Sequence, residues 1–347
     1  MERLLPPERS PKLSELRKNP FTGEWTIIAQ ERGRRPQPLS KRVEATPSSA
    51  CPFCPGEEHL TPPAVALWPP QSDGASSTWS VRVIPNLFPV LRSSASGEIK
   101  EDVTGATIWQ GRGYHEVLVE SPNHAFSWGK HSLDQVVLVL EVIKSRMESL
   151  GGCDGVLSIQ VFKNHGAEAG ASLPHPHFQL IGLPLIPPVL EQKLAIAGAF
   201  WQSHGECVYC HRARGEIQAD SRVIELTEHY LVTCPVASRF PYQMQVQPRR
   251  HSADFCRLSA EELRGLARVL ASTVSRLERI MADRFAYNLI LHTAPHSSAD
   301  FSYFHWHWEI LPRSATPAGL EWGSGLFVNS VPPEAACRIL KEMHKLV

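Results

Sequence analysis

The strongest constraint on this chain is that one ordered set of features occurs in it twice. "SSACPFCPGEE" around Cys51 has a counterpart in "HGECVYCHRAR" around Cys207. An apolar strand with a proline-containing turn follows each, in "WSVRVIPNLFPVL" and in "HYLVTCPVASRFP". Next come two alternating strands, "YHEVLVESPNH" ending at His124 and "YQMQVQPRRH" ending at His251. Eight positions after each of those histidines stands a serine, Ser132 or Ser259. Both serines have the spacing of a capping box, with Gln135 and Glu262 three residues on. The segments behind them, "SLDQVVLVLEVIKSRMESL" and "SAEELRGLARVLASTVSRLERIM", carry apolar residues at helical spacing. Each is followed by a strand, "VLSIQVFKN" or "AYNLILHTAP", and by an H-x-H-x-(Q/E) pattern. His175, His177 and Gln179 make the first pattern and His305, His307 and Glu309 the second.

Chance does not order so many elements alike, so the chain reads as a tandem duplication. The expected fold is α+β, each half an antiparallel sheet with a long helix against one face. The first half would span residues 1–192 and the second 193–347, with "LPLIPPVLEQK" leading into the linker. Residues 1–12 and the Ser/Gly-rich stretch near 93–106 read as loops. A last helix, "PPEAACRILKEMHKLV", begins with proline.

Each half also offers a metal-ligand set. Structural zinc takes four Cys or His ligands in a tetrahedron. Cys51, Cys54, His124 and His175 form the first set, and Cys207, Cys210, His251 and His305 the second. The bland alternative makes the cysteines small buried hydrophobes and the histidines ordinary packing groups; the repetition weighs against it. At the second site His292, His307 and Glu191 are competing ligands. Zinc is expected at both sites, with iron as the alternative at the second.

If His175 binds metal, His177 is left free. A neutral imidazole is a good nucleophile toward phosphorus, and the phosphoramidate it forms is labile. That suits a double-displacement transfer of a nucleotidyl group. The preceding loop, "KNHGAEAGAS", supplies Asn164, Gly166, Gly170 and Ser172. Glycines let backbone N–H groups approach a phosphate, and Asn and Ser add donors. Gln179 shares a strand face with His177 and can hold a phosphate oxygen. The second half has "HSSADFSYF" before His305 in place of that loop, so its H-x-H-x-E pattern reads as structural. After a short strand near the amino terminus stand Arg32, Arg34 and Arg35. They are a solvated cluster or donors to nucleotide phosphates.

Lysine plus arginine equal aspartate plus glutamate at 35 each, which argues against a bulk nucleic-acid binder but not against a nucleotide. No 18-residue apolar run and no signal-like amino terminus is present, so a cytoplasmic protein without membrane attachment is expected. A non-catalytic zinc-stabilised binding module remains the alternative from a different functional class.

Together "RKNPFTGEWTIIAQERGRRP", "CPFC", "RVIPNLFP", "HEVLVESPNH", "FKNHGAEAGASLPHPHFQL", "FHWHWEILPR" and "GLEWGSGLFVNSVPPE" resemble the galactose-1-phosphate uridylyltransferase family, a branch of the histidine-triad superfamily. The resemblance runs from about residue 15 to 340. It implies ping-pong chemistry, in which UDP-glucose uridylylates His177 and a hexose 1-phosphate then takes the UMP group. It implies that Asn164, Gly170, Ser172 and Gln179 grip the phosphates and that Asn86 lies at the nucleoside. Arg32 and Arg35 match phosphate-binding arginines, one of which reaches in from the partner subunit of a homodimer. Phe178 stands where the family usually has a small residue. The carboxy-terminal "GLEWGSGLFVNSVPPE" looks more like the shorter bacterial uridylyltransferases and plant relatives that act on ADP-glucose with inorganic phosphate. An ADP-glucose phosphorylase is therefore the alternative activity, and a histidine-triad nucleotide hydrolase a third.

Overall fold

The computed structural model describes residues 14–30, 51–69, 79–125, 127–129, 132–296 and 299–343. Arg32, Arg34 and Arg35 lie outside the described residues, as do residues 1–12. Two short strands open the chain, β1 (Glu15–Lys18) and β2 (Trp25–Ile28). The first repeat contains β3 (Ala66–Trp68), β4 (Val81–Pro85), β5 (Ile99–Glu101), β6 (Thr107–Trp109), β7 (Tyr114–Val119), α1 (Leu133–Gly151), β8 (Ser158–His165) and β9 (His177–Leu183). Two helices follow, α2 (Pro188–His204) and α3 (Val208–Ala219). The second repeat contains β10 (Val223–Leu226), β11 (Tyr230–Thr233), β12 (Met244–Pro248), α4 (Ala260–Met281), β13 (Tyr287–His292) and β14 (His307–Pro312). The chain ends with α5 (Gly319–Ser324), β15 (Phe327–Asn329) and α6 (Pro333–Glu342).

The fold is α+β, and the duplication is visible strand by strand. One ten-stranded sheet runs β10-β11-β12-β14-β13-β8-β9-β7-β4-β3, with every neighbouring pair antiparallel. The order out from the centre is the same in both directions: β8, β9, β7, β4, β3 on one side and β13, β14, β12, β11, β10 on the other. The two expected sheets are thus joined edge to edge through β8 and β13, where Asn164 pairs with Asn288. Joining leaves neither central strand as an open edge. Helices α1 and α4 pack side by side against one face. Val136, Val139, Leu140 and Ile143 of α1 and Leu263, Leu266, Leu270 and Val274 of α4 are buried in the core they share with the sheet.

Three local expectations differ from the structure. Ser259 and Glu262 form a complete capping box on α4. On α1, Ser132 accepts from the Gln135 amide, but the Gln135 side chain donates to the Ser80 and Glu120 carbonyls. Those buried carbonyls outbid the helix's own first turn. Within 93–106, read as loop, β5 pairs with β6. The stretch read as leading into the linker, 183–193, enters α2 at Pro188. His124, His175, His251 and His305 stand beside the strands read to carry them, because those strands end at Val119 and Pro248 and begin at His177 and His307.

The opening strands do not join the large sheet. β2 pairs with β1 and, in parallel, with β15 near the chain's end. Thr26 donates to the Ala237 carbonyl, and Asn329 to those of Ser238 and Phe240. No helix among the described residues is long and apolar enough to cross a membrane.

Candidate nucleotidyl-transfer site

The ligand-type side chains of each repeat converge. Cys51, Cys54, His124 and His175 place one ligand atom each within 4.8 Å of all the others, and so do Cys207, Cys210, His251 and His305. In the first group Cys54 Sγ is 3.3 Å from His124 Nδ1 and 3.6 Å from His175 Nδ1, and Cys51 Sγ is 3.8 Å from His175 Nδ1. In the second, Cys210 Sγ is 3.5 Å from both His251 Nδ1 and His305 Nδ1, and Cys207 Sγ is 3.9 Å from His305 Nδ1. A tetrahedral ion with metal–ligand bonds of about 2.0–2.3 Å sets its ligands about 3.3–3.8 Å apart, so both groups fit one.

The far nitrogens support the same conclusion. His175 Nε2 donates to the Ser121 carbonyl at 2.8 Å, His305 Nε2 to Pro248 at 2.9 Å and His251 Nε2 to Ser302 at 2.6 Å. A carbonyl only accepts, so the proton is on Nε2 and the Nδ1 lone pair faces the cluster. Both groups can therefore hold a metal ion. The first knuckle is tied to the sheet by buried Arg82, which donates to the Pro52 carbonyl and the Thr61 hydroxyl. Glu191 belongs to neither group; the third convergent set is His292, His307 and Glu309.

His177 opens β9, buried beside the first group, with the Phe53 ring 5.2 Å away. Its Nδ1 donates to the His175 carbonyl at 2.8 Å. By the same reasoning Nδ1 carries the proton and Nε2 the lone pair. Among the described residues Nε2 meets no hydrogen-bond partner. Burial lowers the His177 pKa, favouring the neutral ring. On the opposite face of β9, Phe178 packs on Trp128 at 5.6 Å and lies 5.5 Å from Lys163 Nζ. The bulky residue at that position thus points away from the His177 ring.

The second repeat copies this arrangement and closes it. His307 Nδ1 also donates to a carbonyl, that of His305 at 3.0 Å. Its Nε2, however, faces Lys193 Nζ at 3.0 Å, and that amine also reaches Glu309 Oε1 at 3.0 Å. Lys193 and His307 are both buried. An ammonium proton thus occupies the lone pair that is free on His177.

The phosphate-loop candidates sit together. Gly166 (φ +84°) and Gly170 (φ +83°) adopt backbone conformations that disfavour a side chain, and they bracket the short 3-10 turn Ala167–Ala169. Ser172, exposed, follows the turn. Asn164 is on β8 and Gln179 on β9, both on the sheet face opposite α1 and α4. Asn86 directly follows β4, its Oδ1 accepting from Phe88 N–H. The sequence reading missed His115, whose Nε2 lies 2.9 Å from Gln179 Oε1 and 3.1 Å from Asn86 Nδ2. It also missed Lys193. A cavity of about 370 Å³ continues from Asn164 and Asn288 along the central strands to His292, Glu309 and Arg239.

Two family models match consecutive stretches of the chain. The galactose-1-phosphate uridyl transferase N-terminal domain matches residues 6–187, and the corresponding C-terminal domain matches 193–343. ADP-glucose phosphorylase of Arabidopsis thaliana is 30% identical over 337 residues, covering 95% of this chain and 93% of that protein. Galactose-1-phosphate uridylyltransferase of Thermotoga maritima is 29% identical over 337 residues, covering 95% and 98%. A crystal structure of the Arabidopsis thaliana ADP-glucose phosphorylase with bound ADP-glucose superposes with a TM-score of 0.81 at 29% identity, over 95% of this chain and 99% of that one. With both domain models matched across nearly its whole length, this chain belongs to the galactose-1-phosphate uridyl transferase family of nucleotidyl-transferring enzymes.

Proposed function

We propose that the protein moves a nucleoside monophosphate from a nucleoside-diphosphate hexose to a second phosphate, through a covalent adduct on His177. The difference between the two repeats carries this reading: among the described residues Nε2 of His177 meets no hydrogen-bond partner, whereas Nε2 of His307 is held by Lys193. In the first step His177 Nε2 attacks the α-phosphorus. A P–N bond forms, the P–O bond to the hexose 1-phosphate breaks, and that hexose 1-phosphate departs. The ring becomes cationic and keeps its Nδ1 proton on the His175 carbonyl, which stabilises the developing charge. In the second step an acceptor phosphate oxygen attacks phosphorus from the opposite side. The P–N bond breaks and His177 returns to the neutral state from which it began.

Asn164, Ser172, Gln179 and the backbone around Gly170 would hold the non-bridging oxygens, and Asn86 would lie at the nucleoside. Arg32 and Arg35 would add phosphate contacts, one of them from the partner subunit of a homodimer. Zinc is proposed for both Cys2His2 groups, where it would fix the knuckles and, through His175, the carbonyl that aligns His177. The leading substrate pair is UDP-glucose with a hexose 1-phosphate. The second reading is ADP-glucose with inorganic phosphate; similarity to the plant enzyme crystallised with ADP-glucose favours it. Single-turnover incubation with each labelled nucleotide sugar separates the two, since only the true donor labels His177. Transfer of that label to galactose 1-phosphate or to phosphate then identifies the acceptor. Full transfer activity in His177→Ala would overturn the proposal.

A further inference from the structure

We infer that Asn288, from the second repeat, is a positioning residue that sets which way the Asn164 amide faces and so aims its NH2 group at the transferred phosphate. The inference rests on the reading above that Asn164 contacts phosphate. Asn288 on β13 and Asn164 on β8 are directly paired across the seam between the repeats. Asn288 Nδ2 donates to two oxygens, the Ala169 carbonyl at 2.9 Å and Asn164 Oδ1 at 2.8 Å.

Which atom is which follows from the backbone. The Ala169 carbonyl only accepts, so the Asn288 atom facing it is the NH2 group. The second proton of that NH2 requires an acceptor, so the Asn164 atom facing it is Oδ1. The Asn164 NH2 is then turned the other way, with no protein acceptor among the described residues. It points toward Gly170: a Cβ built on that glycine would lie 4.0 Å from Asn164 Nδ2, with no other heavy atom that near. The glycine thus keeps clear the space into which the amide donates.

The same bonds fasten the loop. Asn288 ties Ala169, the last residue of the turn, to Asn164 at the loop's root. At the loop's start a Cβ on Gly166 would fall 2.7 Å from Ala286 Cβ, so the glycine lies flush against the approach to β13. His165 stacks on Tyr287 and meets the tilted Phe285 ring, with ring centroids 5.2 and 4.7 Å away. The repeat without a free nucleophile therefore holds the phosphate loop of the repeat that has one.

Single-turnover nucleotidylation of the protein by UDP-glucose and by ADP-glucose, over a range of pH, tests this. Asn164→Ala is expected to slow the better donor about 100-fold, and Asn288→Ala about 10-fold. In the Asn164→Ala background, Asn288→Ala should cost no more than about 2-fold, because no amide is left to orient. Asn288→Asp adds a readout that loss of packing does not move. Ionised, it has no proton to give Asn164 Oδ1; protonated, it has one. Its rate relative to Asn288→Ala should therefore rise as the pH is lowered. An Asn288→Ala rate within 2-fold of wild type, or an equal cost with and without Asn164, would overturn the inference. A silent Asn164→Ala would instead remove the phosphate reading, so the two failures are distinguishable.

Discussion

His177 and His307 share one local design, an Nδ1–H bound to the carbonyl two residues back, and differ in what meets Nε2. The sequence motif is nearly the same, so the difference was legible only indirectly, in the Gly-rich loop that precedes His177 alone. Lys193 and His115 act across distances of 114 and 64 residues, and nothing at their own positions announces it. Asn288 could have been suspected from strand pairing, since a repeat that places β13 beside β8 puts it opposite Asn164. A further residue-scale prediction concerns His165. Burial, helped by the charge of Lys163, lowers its pKa from 6.5 to about 4. The folded state thus resists a proton that the unfolded chain accepts, so the penalty is absent above about pH 6.5 and grows as pH falls toward 4. His165→Phe keeps an aromatic ring against Phe285 and Tyr287 and removes the titration. Its unfolding free energy should fall less steeply than that of wild type across that window in urea titrations, with a maximal difference on the order of 3 kcal/mol. Parallel slopes would contradict it.

At the scale of elements, long helices and the two H-x-H strands were readable because their apolar periods and their caps are strong signals. The three-residue strands β3, β5, β6 and β15 were not, since pairing with neighbours, not local pattern, makes them strands. The α1 cap shows why a motif can be half right: Gln135 had better partners in Ser80 and Glu120 than in its own first turn. For α4, Ser259→Ala should cost about 1 kcal/mol in chemical denaturation. Beneath β9, Lys163 Nζ meets Glu120 Oε1 at 2.5 Å, and both side chains are almost wholly buried. Trp128 donates to the other oxygen of Glu120. Lys163→Met would leave the carboxylate buried with one neutral donor, and stability should drop by about 3–5 kcal/mol. A loss below about 1 kcal/mol would show that water or a rearranged neighbour takes over the charge.

For the whole molecule, duplication explains the architecture better than any single element does. Five strands per repeat are laid out in mirrored order from one seam. One repeat keeps an imidazole nitrogen without a partner among the described residues; the other fills its own with Lys193 and braces the seam with Asn288. The paired ligand sets were legible as a recurring pattern of Cys and His, and the structure draws each set of four together. The pairing of β2 with β15 was not legible, because it depends on contact between distant parts of the chain. Metal analysis should find two zinc ions per chain, one for each set. Cys54→Ser should lower that by one and reduce the thermal midpoint, and a wild-type content below one would remove the first site from the account. The central claim is that one histidine of the two becomes covalently nucleotidylated. Intact-mass and peptide mass spectrometry after incubation with UDP-glucose alone and ADP-glucose alone tests it most directly. The account predicts one nucleoside monophosphate per chain, from one of the two donors, on the peptide containing His177. An adduct on His307, or none from either donor, would contradict it.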